Sequence, residues 1–138
     1  MAGARRIDVF FYGLFMDPDL LRARGLEPAP VRVASVPGFA LRVGRRAALV
    51  PATDHRAYGV VTQLSHDEIE RLYADPSVQA YRPEGILVEL EDGTRIAALC
   101  YNLAEPERAG NAEPSYGAKL RDLARRLKLP ADYVAQIR

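Results

Sequence analysis

One cysteine, two histidines and two lysines are all that this 138-residue chain holds of those types. Each scarcity removes a class of function. A lone Cys100 cannot close an intrachain disulfide, so a reducing cytoplasm is the simplest expected location. His55 and His66, even with Cys100, are too few for a metal cluster, and no cofactor is expected. Nineteen basic against eighteen acidic residues leave a formal net charge of +1. The Arg-Arg pairs at 5–6, 45–46 and 125–126 are dispersed, so neither nucleic acid nor a membrane surface is an expected partner. No apolar run is long enough to span a bilayer, and the N-terminus lacks the apolar core of a signal peptide. No repeat or low-complexity segment is visible. What remains is 49% hydrophobic and 27% charged, ordinary for a globular protein and expected to fold as one domain over residues 1–138.

The organising stretch is residues 7–16, IDVFFYGLFM. Its apolar run breaks at Gly13 and is followed by Asp17-Pro18, which predicts a strand buried on both faces leading directly into a helix. The link of Gly13, Leu14 and Phe15 is then a tight loop. Glycine lets other atoms approach the backbone, and the free N–H groups of such a loop suit a carboxylate. Local evidence alone favours the plainer reading, in which Gly13 merely permits a sharp turn and Phe15 and Met16 fill core. Gly25 should close the first helix.

Further strands are expected at 31–36 and 39–43 around a Pro37-Gly38 turn, then at 47–50 and 57–64, with 51–56 a surface loop. Gly59 marks a bulge or a close backbone approach. Ser65 and Glu68 form a capping-box pattern for a helix whose Ile69, Leu72 and Tyr73 share a face, with His66 turned to water. The two longest strands are expected at 81–90 and 94–103, joined at Asp92-Gly93. The second is apolar at both parities, which makes Cys100 a core residue. A polar loop at 104–114 leads to a helix capped by Ser115 and striped by Tyr116, Leu120, Leu123 and Leu127, and Pro130 opens a last short helix. The order implies an α+β protein, a small mixed, mostly antiparallel barrel with flanking helices.

Three separated pieces resemble one family. VFFYGLFM is similar to the strand-loop of the γ-glutamylcyclotransferase-like (AIG2-like) proteins, whose loop usually reads Tyr-Gly-Ser. AYGVVTQLSHDEIERLY with Tyr81-Arg82 resembles the family's middle section. EPSYGAKLRDLARRLKLPADYVAQI looks like its tail. The resemblance implies release of 5-oxoproline from a γ-glutamyl amino acid or amine. The substrate's own α-amine attacks its γ-carbonyl, and folding one molecule into that shape supplies an effective molarity of ~10⁵–10⁸ M. The protein must add a carboxylate cradle, a base and donors for the oxyanion.

The resemblance places the cradle on Tyr12, Gly13, Leu14 and Phe15, with Leu14 where the family usually has serine. The family's glutamate, in Leu-Asp-x-x-Glu-Gly, has no counterpart: Tyr73, Pro76 and Ser77 stand at the aspartate, glutamate and glycine. By strand parity Glu84 shares a face with Ile86, Val88 and Leu90 and is the expected substitute base, raised in pKa if buried. The alternative is that it pairs with an arginine at the rim. Asp75 is the second choice. Tyr81 and Tyr116 either line the pocket or fill core. The expected ligand is a small amino-acid-like molecule. The competing expectation is a binding or regulatory module that kept the pocket but lost the base.

Overall fold

The protein, described here over residues 5–103 and 114–137 of a computed structural model, is built on five strands closed in the ring order β1-β3-β2-β4-β5. The strands are β1 (Arg6–Phe11), β2 (Arg32–Val43), β3 (Ala47–Ser65), β4 (Tyr81–Leu90) and β5 (Arg95–Leu103). Helices α1 (Pro18–Ala23), α2 (His66–Tyr73), α3 (Pro114–Arg126) and α4 (Ala131–Gln136) flank it. Four of the ring's seams are antiparallel, and β1 meets β5 in parallel at Val9 and Leu99. The expected mixed, mostly antiparallel barrel is therefore the observed one.

β1 is apolar on both faces because each face has its own core. Phe10 and Tyr12 point into the barrel with Val36, Leu49, Val61 and Cys100. Val9 and Phe11 point outward against Leu21, Leu72, Leu120 and Val134 of the helices. The alternation follows from the two-residue period of a strand, and neither set of side chains is left to water.

Helix ends obey local chemistry. The Asp17 carboxylate accepts from the Asp19 N–H at 2.9 Å, Pro18 opens α1, and Gly25 at φ +86° terminates it. At α2 the Ser65 hydroxyl accepts from the Glu68 N–H (3.2 Å) and the Glu68 carboxylate from the Ser65 N–H (2.9 Å). His66 is exposed at its start. α3 begins at Pro114, one residue ahead of the expected Ser115 cap, because proline suits a first helical turn. The loop expected at 104–114 otherwise lies outside the described residues.

The longest strands are β2 and β3, not the β4–β5 pair. Pro37-Gly38 does not turn the chain; β2 runs through it with a register shift between Pro37 and Phe39. Residues 51–56, expected as a loop, continue β3 as its exposed part. Over that interval β3 advances five residues, Pro51 to Arg56, where β2 advances two, Phe39 to Pro37. The lack of periodicity at 51–56 reflects this bulged pairing, not an end of the strand. Gly59 is a close approach: a Cβ there would stand 2.1 Å from the Phe11 carbonyl oxygen and 2.8 Å from Phe10 Cζ. No described helix is long and apolar enough to cross a membrane.

Candidate functional site

Where β1 leaves the barrel, a pocket of about 260 Å³ opens. Its floor is the segment Tyr12, Gly13, Leu14 and Phe15, and Tyr81 and Tyr116 stand on its walls. Six positions scattered from 12 to 116 in the sequence thus face one cavity.

The loop forms a single 3-10 turn at Leu14–Met16, with the Met16 N–H on the Gly13 carbonyl (3.0 Å) and the Asp17 N–H on the Leu14 carbonyl (3.1 Å). The N–H groups ahead of them, on Leu14 and Phe15, precede the first bond the turn can make. Gly13 is in extended backbone, φ −110°, so it is glycine for space and not for handedness. A Cβ on it would lie 3.1 Å from the Tyr116 hydroxyl. Burial raises the Tyr116 pKa, and the backbone N–H groups of Leu14 and Ala47 beside its oxygen offset part of the rise. The hydroxyl thus stands against the Leu14 amide, one of those expected to form an anion cradle.

Tyr12 and Tyr81 brace the walls. The Tyr12 hydroxyl donates to the Tyr101 carbonyl at 2.9 Å and lies 3.1 Å from Asn102 Oδ1. Asn102 also donates to the Leu49 carbonyl (2.9 Å) and accepts from the Leu49 N–H (3.0 Å), so one buried amide ties β5 to β3. The Tyr81 hydroxyl donates to the Ala47 carbonyl. Burial, compounded by the other tyrosines and Cys100, pushes the Tyr12 hydroxyl far above its ordinary value, and burial does the same to Tyr73. Both hydroxyls therefore stay protonated, and that of Tyr12 serves as a neutral donor. Cys100 is buried, its thiol pushed up to about 12 by burial and by Glu84 opposite it, a core residue as expected.

Glu84 has the expected parity, paired across from Cys100, but its side chain is exposed and does not line the pocket. The expectation of burial fails: β2 pairs with β4 at Ala34↔Leu90 and Ser35↔Glu89, at the far end of β4 from Glu84, so side chains of β2 do not close over the start of β4. Asp75 sits nearer, in the turn after α2. Its carboxylate accepts from the Ser77 hydroxyl (2.7 Å) and N–H (2.9 Å) and pairs with Arg24 at 3.2 Å. Those Ser77 bonds, joined by Arg24, hold its pKa below the ordinary carboxylate value. Asp75 thus positions two residues of the pocket rim, Ser77 and Arg24, without lining the pocket itself.

Among the described residues that line the pocket there is no Asp, Glu or His; its charged groups are Arg24, Arg45 and Arg46. No described group of three or more His, Cys, Asp or Glu could hold a metal ion. The arginines, Tyr73 and Tyr101 were not legible as site residues. Tyr73 reads as one more apolar position of α2 and Tyr101 as the outward parity of β5, and only the closure of the ring brings them together.

The same architecture recurs in solved structures. A human protein described as uncharacterized superposes with a TM-score of 0.81 at 18% identity, covering 96% of this chain and 86% of that one. A structure named gamma-glutamyl cyclotransferase gives 0.80 at 19%, again over 96% and 86%. An AIG2-like protein from Mus musculus gives 0.60 at 15% over 81% and 82%. At such identities the likeness carries the fold alone. No curated protein sequence matches the chain. The family assignment comes from the sequence itself: residues 9–118, which run from the buried strand through the Tyr116 hydroxyl, match the gamma-glutamyl cyclotransferase, AIG2-like family, and the chain belongs to it.

Proposed function

We propose that this protein binds a small γ-glutamyl compound in the pocket at Tyr12, Gly13, Leu14 and Phe15, and that it retains this ligand without turning it over. The observation that carries the proposal is the composition of the lining. Loop amides favour a carboxylate, and the charged groups on the described lining are all arginine, with no acid to take a proton from an α-ammonium. The ligand's α-carboxylate accepts from the Leu14 and Phe15 N–H groups, and the Tyr116 hydroxyl shares or yields that place. Tyr12 and Tyr81, already committed to backbone carbonyls, hold the walls in shape.

Cyclotransfer is the second reading, favoured by the family. It needs the α-amine to lose a proton before attacking the γ-carbonyl, with 5-oxoproline and a free amine as products. Glu84 or Asp75 would have to reach the amine.

Titration calorimetry of the purified protein with γ-glutamyl amino acids and amides, with chromatographic assay of 5-oxoproline, tests both readings. The expected result is saturable binding and 5-oxoproline release at the spontaneous rate. Absence of binding to every γ-glutamyl compound overturns the proposal. Protein-dependent release that falls by roughly 10²–10⁴-fold in Glu84→Gln or Asp75→Asn establishes the second reading and names its base.

A further inference from the structure

Eight of the chain's eleven Phe and Tyr residues line this one pocket. Apart from the Tyr116 hydroxyl at the loop amides, a carboxylate and an α-amine need none of them. Five form a connected wall. Phe11 meets Phe15 edge-on with centroids 6.0 Å apart, and Phe15 meets Tyr73 edge-on at 5.9 Å. Tyr73 stacks on Tyr101 at 3.8 Å with 12° between the planes, and Tyr81 stands 6.3 Å from Tyr73. Two guanidiniums cover this wall: Arg24 lies 5.2 Å from the Phe15 centroid and Arg46 lies 6.0 Å from the Tyr81 centroid.

Each half of this arrangement restricts the ligand. Ring faces and edges reward a planar apolar group that can stack or meet them edge-on. They would also attract an ammonium through their quadrupoles, but the rings of Phe15 and Tyr81 already hold a guanidinium each, so those cation sites are taken. An uncharged ring satisfies both conditions and can stack beneath a guanidinium as well.

Resting on the γ-glutamyl reading above, we infer that the group joined to the γ-carbonyl is an uncharged aromatic amine, accommodated against Phe15, Tyr73 and Tyr81, and that amines ending in an ammonium are disfavoured. The glutamyl unit occupies the loop end of the cavity and the ring the aromatic end.

Calorimetric titration with three probes decides the matter: L-γ-glutamyl-anilide, L-γ-glutamyl-methylamide and the mono-γ-glutamyl derivative of 1,4-diaminobutane. The anilide should bind roughly 3–10-fold more tightly than the methylamide, and the diaminobutane derivative should be the weakest. In Tyr73→Leu, and separately in Phe15→Leu, the anilide-to-methylamide affinity ratio should fall towards one; using both guards against one variant failing to fold. Methylamide binding as tightly as the anilide, or the diaminobutane derivative binding most tightly, overturns this inference while leaving the γ-glutamyl reading standing. If none of the three binds, the γ-glutamyl reading itself falls, and this inference with it.

Discussion

The two seams on either side of β2 are made from the same strand and behave in opposite ways. Towards β3 the pairing runs from Arg32↔Val61 to Val43↔Ala47, interrupted by one bulge. Beyond β3 the barrel wall is so tight at β1 that Gly59 cannot carry a methyl group. Towards β4 the pairs are Ala34↔Leu90 and Ser35↔Glu89, at the far end of β4 from the exposed Glu84; on the other face of the same strand a Cβ on Gly85 would meet open space and Leu87 is 57% exposed. The same inward parity therefore gives a buried residue on one side and a solvated carboxylate, Glu84, on the other. Parity in a strand says which face a side chain takes, whereas burial requires that something cover the face.

That contrast is broken most severely at the glycines. Gly59→Ala should destabilise by about 3–5 kcal/mol or abolish folding, since the obstacle is the Phe11 backbone and not a side chain that can turn away. Denaturant titration with both variants checks it against Gly85→Ala, which should stay within about 0.5 kcal/mol of the parent. An equal loss in the two would mean that the β2/β4 seam is closed in solution.

Leu64 is fully buried between β3 and the helices, and Leu64→Ala should cost about 3–4 kcal/mol by the same measurement. Leu87→Ala should change stability by no more than about 0.5 kcal/mol. Asn102→Ala leaves the buried N–H and C=O of Leu49 without their side-chain partner. A loss of about 2 kcal/mol is expected, with no comparable change on removing the exposed amide of Gln79.

The smallest effect concerns a carboxylate on the closed side. Desolvation alone would raise the pKa of Glu68, but N–H groups of Ser65 and Glu27, the Ser65 hydroxyl and the Arg6 guanidinium outweigh it, and the value is lowered. A depressed folded-state pKa contributes stability that is present above the unfolded value, about 4.5, and is lost as pH falls through the lower folded value. Glu68→Gln should therefore cost about 1 kcal/mol near neutrality, and the difference from the parent should shrink in thermal melts taken below that pH. A difference that instead grew on acidification would invert the sign and refute the account. Glu84→Gln, on the open side, should alter stability by no more than about 0.5 kcal/mol.

Local physical chemistry determined a good deal of this protein from its sequence. The doubly buried β1, the Asp17-Pro18 start and Gly25 stop of α1, the Ser65–Glu68 box and the Asp92-Gly93 hairpin all depend on neighbours within a few residues, and such neighbours are visible in the string. The loop of Gly13, Leu14 and Phe15 was legible for the same reason. Tertiary structure alone decided the rest. The merging of 39–43 with 31–36 and of 47–50 with 57–64 into two long strands depends on cross-strand hydrogen bonds that override Pro37, Gly38 and Pro51. The exposure of Glu84 depends on where β2 stops covering β4, and the aromatic wall depends on ring closure bringing Tyr73, Tyr81 and Tyr101 beside Phe15. Contacts between residues tens of positions apart leave no periodicity behind them, so a site assembled from such contacts becomes visible only when the barrel has closed.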